Sequence, residues 1–419
     1  MIFNHTLDNG MRIIGQKLPS FNSISVGVWV GTGSVKEVQG EEGLSHFIEH
    51  MLFKGTQKRS AIQIATQMDD IGAQINAFTS KESTCYYIKA TKEHLEKSVE
   101  MLSDMIINSA FDPKEMEKEK GVVIEEIAMV EDTPEDLVME IMGKEFYKNH
   151  PLGQPILGTK ESVSSFSQKD IFNYIKKHYV ASNMLVSIAG NFEESQIIDL
   201  VNKYFDLPKV DYDVPYPRVP TYGKKSLVYA QKDIEQVHTC LVMPGLSPQD
   251  DSYYPLVVVN NAFGGNMSSR LFQKIREDKG LAYSVYSFTS SYKDSGIIGF
   301  YAGTNANRAY EVVEIIINEI KELKKHGLKA DELERSKNQL KGSYILGNEN
   351  TGSRMVSIGK SMLLNGKIRT EEEVINLIDK VDKNAVDNVI EQIFAFESLY
   401  GSFVGKINEL KNTDIDKLW

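Results

Sequence analysis

Two histidines and a glutamate lie close together in the segment EGLSHFIEHMLFKG. His46 and His50 are four residues apart, so on a helix their imidazoles project from one face and can hold one ion. Glu49 lies beside them and can accept a proton from a water on that ion. Imidazole ligands without thiolates suit zinc, and a catalytic zinc has three protein ligands with an open fourth position. The segment predicts a zinc site that still lacks its third ligand.

Chance is a weak explanation for this triplet. The chain has eight histidines, and two of them with a glutamate in this arrangement are expected by chance in about 1 in 100 such sequences. The flanking residues are apolar, so the polar groups would be partly buried, and burying them without partners is costly. A bound metal resolves that cost.

A second segment, KEMEKEKGVVIEEIAMVEDTPEDLVME, offers the missing ligand. Glu119 and Glu126 are seven residues apart, which is two helical turns, and so they share a face. Valine and isoleucine neighbours make their surroundings apolar. Glu125 is the alternative, and the residues alone leave Glu125 and Glu126 both open.

The composition bounds the class of protein. With 419 residues, 41% hydrophobic and 25% charged, the chain is expected to form two globular domains. A net charge of −11 argues against nucleic-acid binding. It is compatible with basic peptide substrates, although a solvated acidic surface is the simpler explanation. The two cysteines, Cys85 and Cys240, suggest no disulfide framework. We find no signal peptide or membrane span and expect a cytoplasmic protein without membrane contact.

A proline-rich stretch at 207–225 divides the chain nearly in half. It contains four of the 12 prolines and is typical of a stiff extended linker. We predict a metal-binding domain at 1–210, a linker at 211–225 and a C-terminal domain of similar fold at 226–419 that lacks the metal motif.

Both halves show the same coarse order of elements. An alternating strand leads through a loop to an apolar helix at 23–30 and 44–53, and again at 238–243 and 254–263. Further strands are predicted at 83–90 and 296–302, and long charged helices at 112–129, 167–178, 308–326 and 330–346. The fold class is therefore α+β: two similar domains, each a mostly antiparallel sheet packed with helices.

HFIEHMLFKGT, with its inverted H-x-x-E-H order, resembles the pitrilysin/insulinase family of zinc peptidases. The two-domain branch, with the mitochondrial processing peptidase β subunit and bacterial processing proteases, is the most similar. In that family the third ligand is a glutamate about 76 positions after the second histidine, which here is Glu126. The family's further acidic residue, one heptad earlier, matches Glu119. The resemblance thus implies Zn²⁺ held by His46, His50 and Glu126, with Glu119 orienting the ligands.

Other segments extend the resemblance over both halves. GAQINAFT at 72–79 is similar to the segment by which the family presents an edge strand to its substrate, which implies that Asn76 and Ala77 bind peptide. HPLG at 150–153 is another landmark. Arg276 and Tyr283 are similar to the family's R-x6-Y pair, which reaches the substrate carbonyl at the active site. Without the resemblance, Asn76 and Ala77 are more typical of an ordinary strand, Arg276 of a surface charge and Tyr283 of a core aromatic.

The resemblance implies a zinc metalloendopeptidase that cleaves unfolded peptides or precursor segments, with Glu49 as the base. Larger family members join four such domains, so we expect this chain to form a homodimer in which Arg276 and Tyr283 act in trans on the partner's zinc site. Two alternatives remain: a non-catalytic core or scaffold subunit of the same fold, and a catalytic subunit that needs a different partner.

Overall fold

The strands of the protein form two sheets. The computed structural model describes residues 2–218, 220, 222, 225–411, 413 and 415–418, with the backbone alone at 409 and 416. The strands are β1 (Ile2–Thr6), β2 (Arg12–Lys17), β3 (Ser23–Val30), β4 (Gln74–Thr79), β5 (Thr84–Thr91), β6 (Met184–Gly190), β7 (Ser226–Gln231), β8 (Gln236–Pro244), β9 (Ala282–Tyr292), β10 (Ser295–Asn305) and β11 (Tyr400–Gly405).

Helices occupy most of the remaining chain, and the predicted strands and helices are present within three residues of their expected ends. The α-helices are α1 (Leu44–Leu52), α2 (Ala61–Asp69), α3 (Leu95–Asn108), α4 (Pro113–Asp132), α5 (Pro134–Phe146), α6 (Lys160–Ser165), α7 (Gln168–His178), α8 (Glu194–Tyr204), α9 (Tyr253–Gly264), α10 (Ala309–His326), α11 (Ala330–Gly347), α12 (Thr351–Asn365), α13 (Glu371–Asp379), α14 (Lys383–Ile393) and α15 (Asn408–Lys411).

The two sheets share one topology. The first has the order β1-β2-β6-β3-β5-β4 and the second β7-β11-β8-β10-β9. In each, one parallel pair (β2 with β6, β7 with β11) joins three successive antiparallel pairs. The second sheet therefore repeats the five strands β2 to β6 of the first in the same connection order. The predicted α+β class with two similar, mostly antiparallel domains is confirmed.

The compact units differ from the contiguous division at 1–210 and 226–419. Unit 1 comprises Met1–Ala128, Gln154–Pro217 and Gly347–Ile368, and unit 2 comprises Met129–Gly153, Arg218–Leu346 and Arg369–Trp419. The reason is that α12 packs on β2, β3 and β6, while α5 packs on β7, β8 and β11. Each sheet thus buries one face under a helix from the other half of the sequence.

Helix α12 packs closely on the first sheet. Trp29 on β3 is fully buried, and its indole N–H donates to Ser187 Oγ at 2.8 Å. A Cβ on Gly359 of α12 would lie 2.2 Å from Trp29 Nε1, so that α12 can approach β3 only because this position is glycine. The other face of the sheet packs on α1, α3 and neighbouring helices in the main core of unit 1.

The predicted linker at 211–225 begins on the surface of unit 1. Lys36 donates to the Val214 carbonyl at 2.8 Å, and Tyr216 donates to Glu82 at 2.5 Å. Residues 219, 221, 223 and 224 of the predicted linker lie outside the described residues. None of the described helices is both long and apolar enough to cross a bilayer.

Candidate metal centre

The helix that carries the two histidines begins under a steric constraint. Its N-cap is Gly43, with φ of 90°, in the left-handed region that glycine adopts at least cost. A Cβ there would lie 2.5 Å from the Leu157 carbonyl oxygen. The position therefore needs glycine, and glycine has no side chain to cap the helix.

Glu37 supplies that cap from seven residues before the helix. Its two carboxylate oxygens accept the Gly43 and Ser45 amides, both at 2.8 Å, and its side chain lies in the interior. Burial raises the pKa of Glu37 to about 7, although these two hydrogen bonds oppose the rise. An anion at a helix N-terminus also interacts favourably with the helix dipole. Glu37 was not predicted, because its only signal in the sequence is that of an acidic residue shortly before the helix.

The structure brings together three of the predicted ligands. The Nε2 atoms of His46 and His50 lie 3.7 and 3.5 Å from Glu126 Oε2, and one ligand atom of each residue lies within 4.8 Å of the other two. Within the described part of the chain, these residues form the single group of three or more histidine, cysteine or acidic side chains with this spacing.

These separations fit a shared zinc ion. They are too long for hydrogen bonds, whereas neighbouring ligands at about 2.1 Å around a tetrahedral ion lie about 3.4 Å apart. Burial, and then the neighbouring His50, lower the pKa of His46 to about 4, which keeps it in the neutral form that binds metal. His46 Nδ1 is buried and has no hydrogen-bond partner among the described residues.

Glu119 contacts His50 on the side of the ring that faces away from Glu126. Its Oε1 lies 2.8 Å from His50 Nδ1 and its Oε2 lies 2.6 Å from Lys54 Nζ. Burial opposes ionisation of Glu119, but the hydrogen bonds to His50 and Lys54 outweigh it and lower the pKa of the carboxyl. The contact fixes the ring so that Nε2 faces His46 and Glu126, the usual role of a carboxylate behind a metal-bound histidine.

The structure distinguishes the two alternatives for the third ligand. Glu126 is half-buried and belongs to the group, whereas Glu125, one residue earlier on α4, is exposed. The reason is helical geometry: Glu126 shares a face with Glu119, two turns earlier, and adjacent residues point about 100° apart. Glu125 therefore faces solvent.

Glu49, the predicted base, is held by a residue of the sheet. Thr79, at the end of β4, donates its hydroxyl to Glu49 Oε2 at 2.5 Å. Burial raises the pKa of Glu49, while the Thr79 hydrogen bond opposes the rise. A carboxylate with a raised pKa is a better acceptor for a proton near neutral pH. The contact with Thr79 was not predicted.

The predicted substrate residues lie on an edge strand. β4 pairs with β5 alone among the described strands, so one side of its backbone is open. The Ala77 amide donates to the Asn76 side-chain oxygen at 2.8 Å, so it points to the open side rather than to β5. Backbone groups of alternate residues point the same way. The main chain of Ala77 thus lies at the open edge, with its amide hydrogen-bonded to the side chain of Asn76.

Arg276 and Tyr283 form one cluster in unit 2. The Arg276 guanidinium lies 4.5 Å from the Tyr283 ring centre and 4.8 Å from that of Phe272, and it donates to the Tyr283 carbonyl at 3.1 Å. Tyr283 is 79% exposed, so it is not the core aromatic that its residue type would suggest. Arg276 lies on a π-helical segment, Phe272–Glu277, a helix form that is frequent at functional sites.

Comparison with known proteins places the chain in a family. Residues 12–160 match the family described as Insulinase (Peptidase family M16), and residues 165–340 match Peptidase M16 inactive domain. The chain is 45% identical over 394 residues to "Uncharacterized zinc protease YmxG" of Bacillus subtilis (strain 168), covering 94% of this chain and 96% of that protein. This chain belongs to the insulinase family, peptidase family M16. The predicted resemblance is confirmed. The Bacillus subtilis relative is itself named a zinc protease.

Solved structures share the fold of this M16 family member. A protease from Helicobacter pylori superposes with a TM-score of 0.90 at 22% identity, covering 97% of this chain and 99% of the other. A chain of complex III2 from Candida albicans superposes with a TM-score of 0.87 at 20% identity, covering 99% and 98%. At these identities the likeness concerns the fold.

Proposed function

We propose that this chain is a zinc metalloendopeptidase that cleaves unfolded peptides or precursor segments. The observation that carries the proposal is the convergence of His46, His50 and Glu126, with the half-buried carboxylate of Glu49 beside them. The name of the Bacillus subtilis relative supports the same activity.

Different side chains bind the metal, orient a ligand and transfer the proton during hydrolysis. When bound, zinc supplies a Lewis acid that lowers the pKa of a coordinated water to about 7 and polarises the peptide carbonyl. His46, His50 and Glu126 hold the ion, and Glu119 keeps the His50 ring in place. Glu49 takes one proton from the attacking water as the new C–O bond forms, and returns it to the leaving amine as the C–N bond breaks.

The open edge of β4 is suited to hold the substrate. A peptide can add to this edge as a further strand, so that main-chain hydrogen bonds give affinity irrespective of sequence. Ala77 offers its carbonyl oxygen for this pairing, and its amide pairs with a peptide once the Asn76 side chain, which accepts from that amide, releases it. Only an unfolded segment has a free backbone to pair in this way, and the net charge of −11 favours basic peptides.

We infer that the active assembly is a homodimer. Arg276 and Tyr283 form an exposed cluster of hydrogen-bond donors, and donors of this kind stabilise the charge that develops on a substrate carbonyl oxygen. In this proposal the pair from one chain acts on the zinc site of its partner. Because one chain carries both the zinc ligands and the Arg/Tyr pair, self-association is favoured over a different partner.

A scaffold role is the second candidate, because a chain of complex III2 has this fold. A scaffold has no need of three convergent ligands, an oriented histidine and a half-buried carboxylate held by a threonine. The second half matches the domain described as inactive, but the metal residues His46, His50 and Glu126 lie within the match to the insulinase domain at 12–160.

The direct experiment compares the wild-type chain with Glu49→Gln. We expect both to bind one zinc per chain, and only the wild type to cleave an unstructured Lys/Arg-rich peptide in a chelator-sensitive way. Stoichiometric zinc without cleavage in the wild type would favour the scaffold. Equal cleavage by both proteins would exclude Glu49 as the base.

A further inference from the structure

Alternate residues of β4 serve two different purposes. The main chain of Ala77 faces the open edge, where the Asn76 side chain occupies its amide. The side chain of Thr79, two residues further on, reaches Glu49 on α1. Because side chains alternate along a strand, Ala77 and Thr79 share the face that packs towards α1. The same short strand therefore carries both the peptide-pairing atoms and the contact to the base.

The end of β4 is firmly held. Phe78 points to the opposite face and packs edge-to-face on the buried Trp29, with ring centres 5.5 Å apart. After Thr79 the chain turns back, and the turn is closed by the Ser80 amide, which donates to the Ser83 carbonyl at 2.8 Å. Residues whose own position is fixed by packing and hydrogen bonds can in turn fix a reacting group. The Thr79 hydroxyl is presented from such a place.

A glutamate side chain has three rotatable bonds, and holding it costs conformational entropy. Thr79 donates to Oε2 of Glu49, so Oε1 keeps both of its lone pairs and is the better placed oxygen to take a proton. The hydrogen bond thus selects both a position for the carboxylate and the oxygen that reacts.

We propose that Thr79 is a positioning residue for Glu49, which it fixes relative to the peptide-pairing edge at Ala77. A peptide paired with β4 then meets the base at a set place along its backbone, because one strand sets both. This inference rests on the proposed function and deepens it. It assigns to Thr79 a role in the rate of the chemical step rather than in zinc or peptide binding.

The test compares Thr79→Val, which keeps the shape but loses the hydroxyl, with Thr79→Ser, which keeps the hydroxyl. Thr84→Val is the matched control: Thr84 pairs with Thr79 across the β4–β5 ladder, but its hydroxyl donates to the Thr32 carbonyl at 3.0 Å, away from Glu49. For each protein, kcat and KM are measured on a fluorogenic unstructured peptide, together with zinc per chain and melting temperature.

We expect Thr79→Val to lower kcat about ten-fold or more, which is part of the roughly 10²–10⁴-fold that a positioned general base contributes, with unchanged KM and zinc content. Thr79→Ser should recover kcat to within about two- to three-fold. Thr84→Val should lower the melting temperature while kcat stays near the wild-type value. A kcat of Thr79→Val equal to that of wild type, or a loss that follows zinc content or KM, would overturn the proposal.

Crystal structures of the zinc-loaded wild type and Thr79→Val give a readout that does not depend on activity. We expect the Glu49 carboxylate to be ordered at Thr79 in the wild type, and displaced or spread over several rotamers in the variant. An unmoved carboxylate in Thr79→Val would contradict the proposal. If the wild type cleaves no peptide, the proposed function fails, while these two structures still decide whether Thr79 positions Glu49.

Discussion

Glu125 and Glu126 are adjacent on α4, yet only Glu126 faces the two histidines. We predict that Glu126→Gln weakens zinc binding by more than about 100-fold, because an amide oxygen replaces a charged ligand. This loss of affinity is larger than the roughly 10–100-fold that follows when a residue that only supports a ligand is removed. Glu125→Gln, with the same change one residue away, should bind zinc like the wild type. Competition with a chromophoric chelator measures both affinities, and equal affinities in the two variants would refute this ligand assignment.

Residue types and spacing predicted His46, Glu49 and His50, because all three lie on one short helix. They could not decide between Glu125 and Glu126, since that choice depends on which way α4 faces. Thr79 and Glu37 could not be predicted as contacts at all. Thr79 is 30 residues from Glu49 in sequence, and its contact exists only once β4 has packed against α1.

The N-terminus of α1 depends on a buried acid, and this makes stability depend on pH. Folding raises the pKa of Glu37 to about 7 from an ordinary value of 4.5, so the folded protein binds this proton more tightly than the unfolded chain. The resulting stabilisation is complete below pH 4.5 and is lost as the pH rises through about 7. The pKa difference corresponds to about 3 kcal/mol.

Urea unfolding of the zinc-free protein at pH 5 and pH 8 measures this effect. We predict that the free energy of unfolding of Glu37→Gln, which does not titrate at this position, falls by about 2.5 kcal/mol less than that of the wild type between these two pH values. Glu161→Gln, at an exposed glutamate of α6, should follow the wild type. Parallel pH dependence in wild type and Glu37→Gln would show that Glu37 does not titrate in this range.

The close packing of α12 on the first sheet leads to a second prediction about stability. Gly359→Ala should destabilise the protein by about 1–3 kcal/mol, because its Cβ would overlap the buried indole of Trp29. Gly121→Ala, within α4, meets nothing within 4 Å and should stabilise by up to about 1 kcal/mol. Thermal unfolding of both variants checks the pair, and the same sign of shift in both would contradict the packing described here.

Hydrophobic alternation and helix capping patterns predicted the elements well, because both signals are local. Asp112 followed by Pro113, for example, marks the start of α4. These local signals could not predict that α5 packs on the second sheet and α12 on the first. Nothing in a helix's own sequence states which of two similar sheets it covers, so the contiguous boundaries at 210 and 226 missed the segments 129–153 and 347–368.

For the whole molecule, the homodimer proposal predicts complementation between two inactive chains. Glu49→Gln lacks the base and Arg276→Ala lacks the guanidinium. In a mixed dimer one of the two sites combines an intact base from one chain with an intact Arg276 from the other. Random exchange of subunits should therefore restore about a quarter of wild-type cleavage. An equal mixture that gains no activity over either variant alone would exclude action in trans.

The repeated sheet order was predictable in outline at this scale, because both halves of the sequence show a strand, a loop and an apolar helix in turn. The loss of the metal site in the second half was equally visible, since 226–419 has no second H-x-x-E-H. How two chains would combine has no local signal in the sequence.

The central claim is that cleavage depends on one zinc held by His46, His50 and Glu126. Adding zinc stepwise to the chelator-treated protein, while following cleavage of an unstructured peptide, tests it most directly. Activity should rise from near zero and reach a plateau at about one zinc per chain, as for a single catalytic ion. Full cleavage by the metal-free protein, or no cleavage at any zinc concentration, would contradict it.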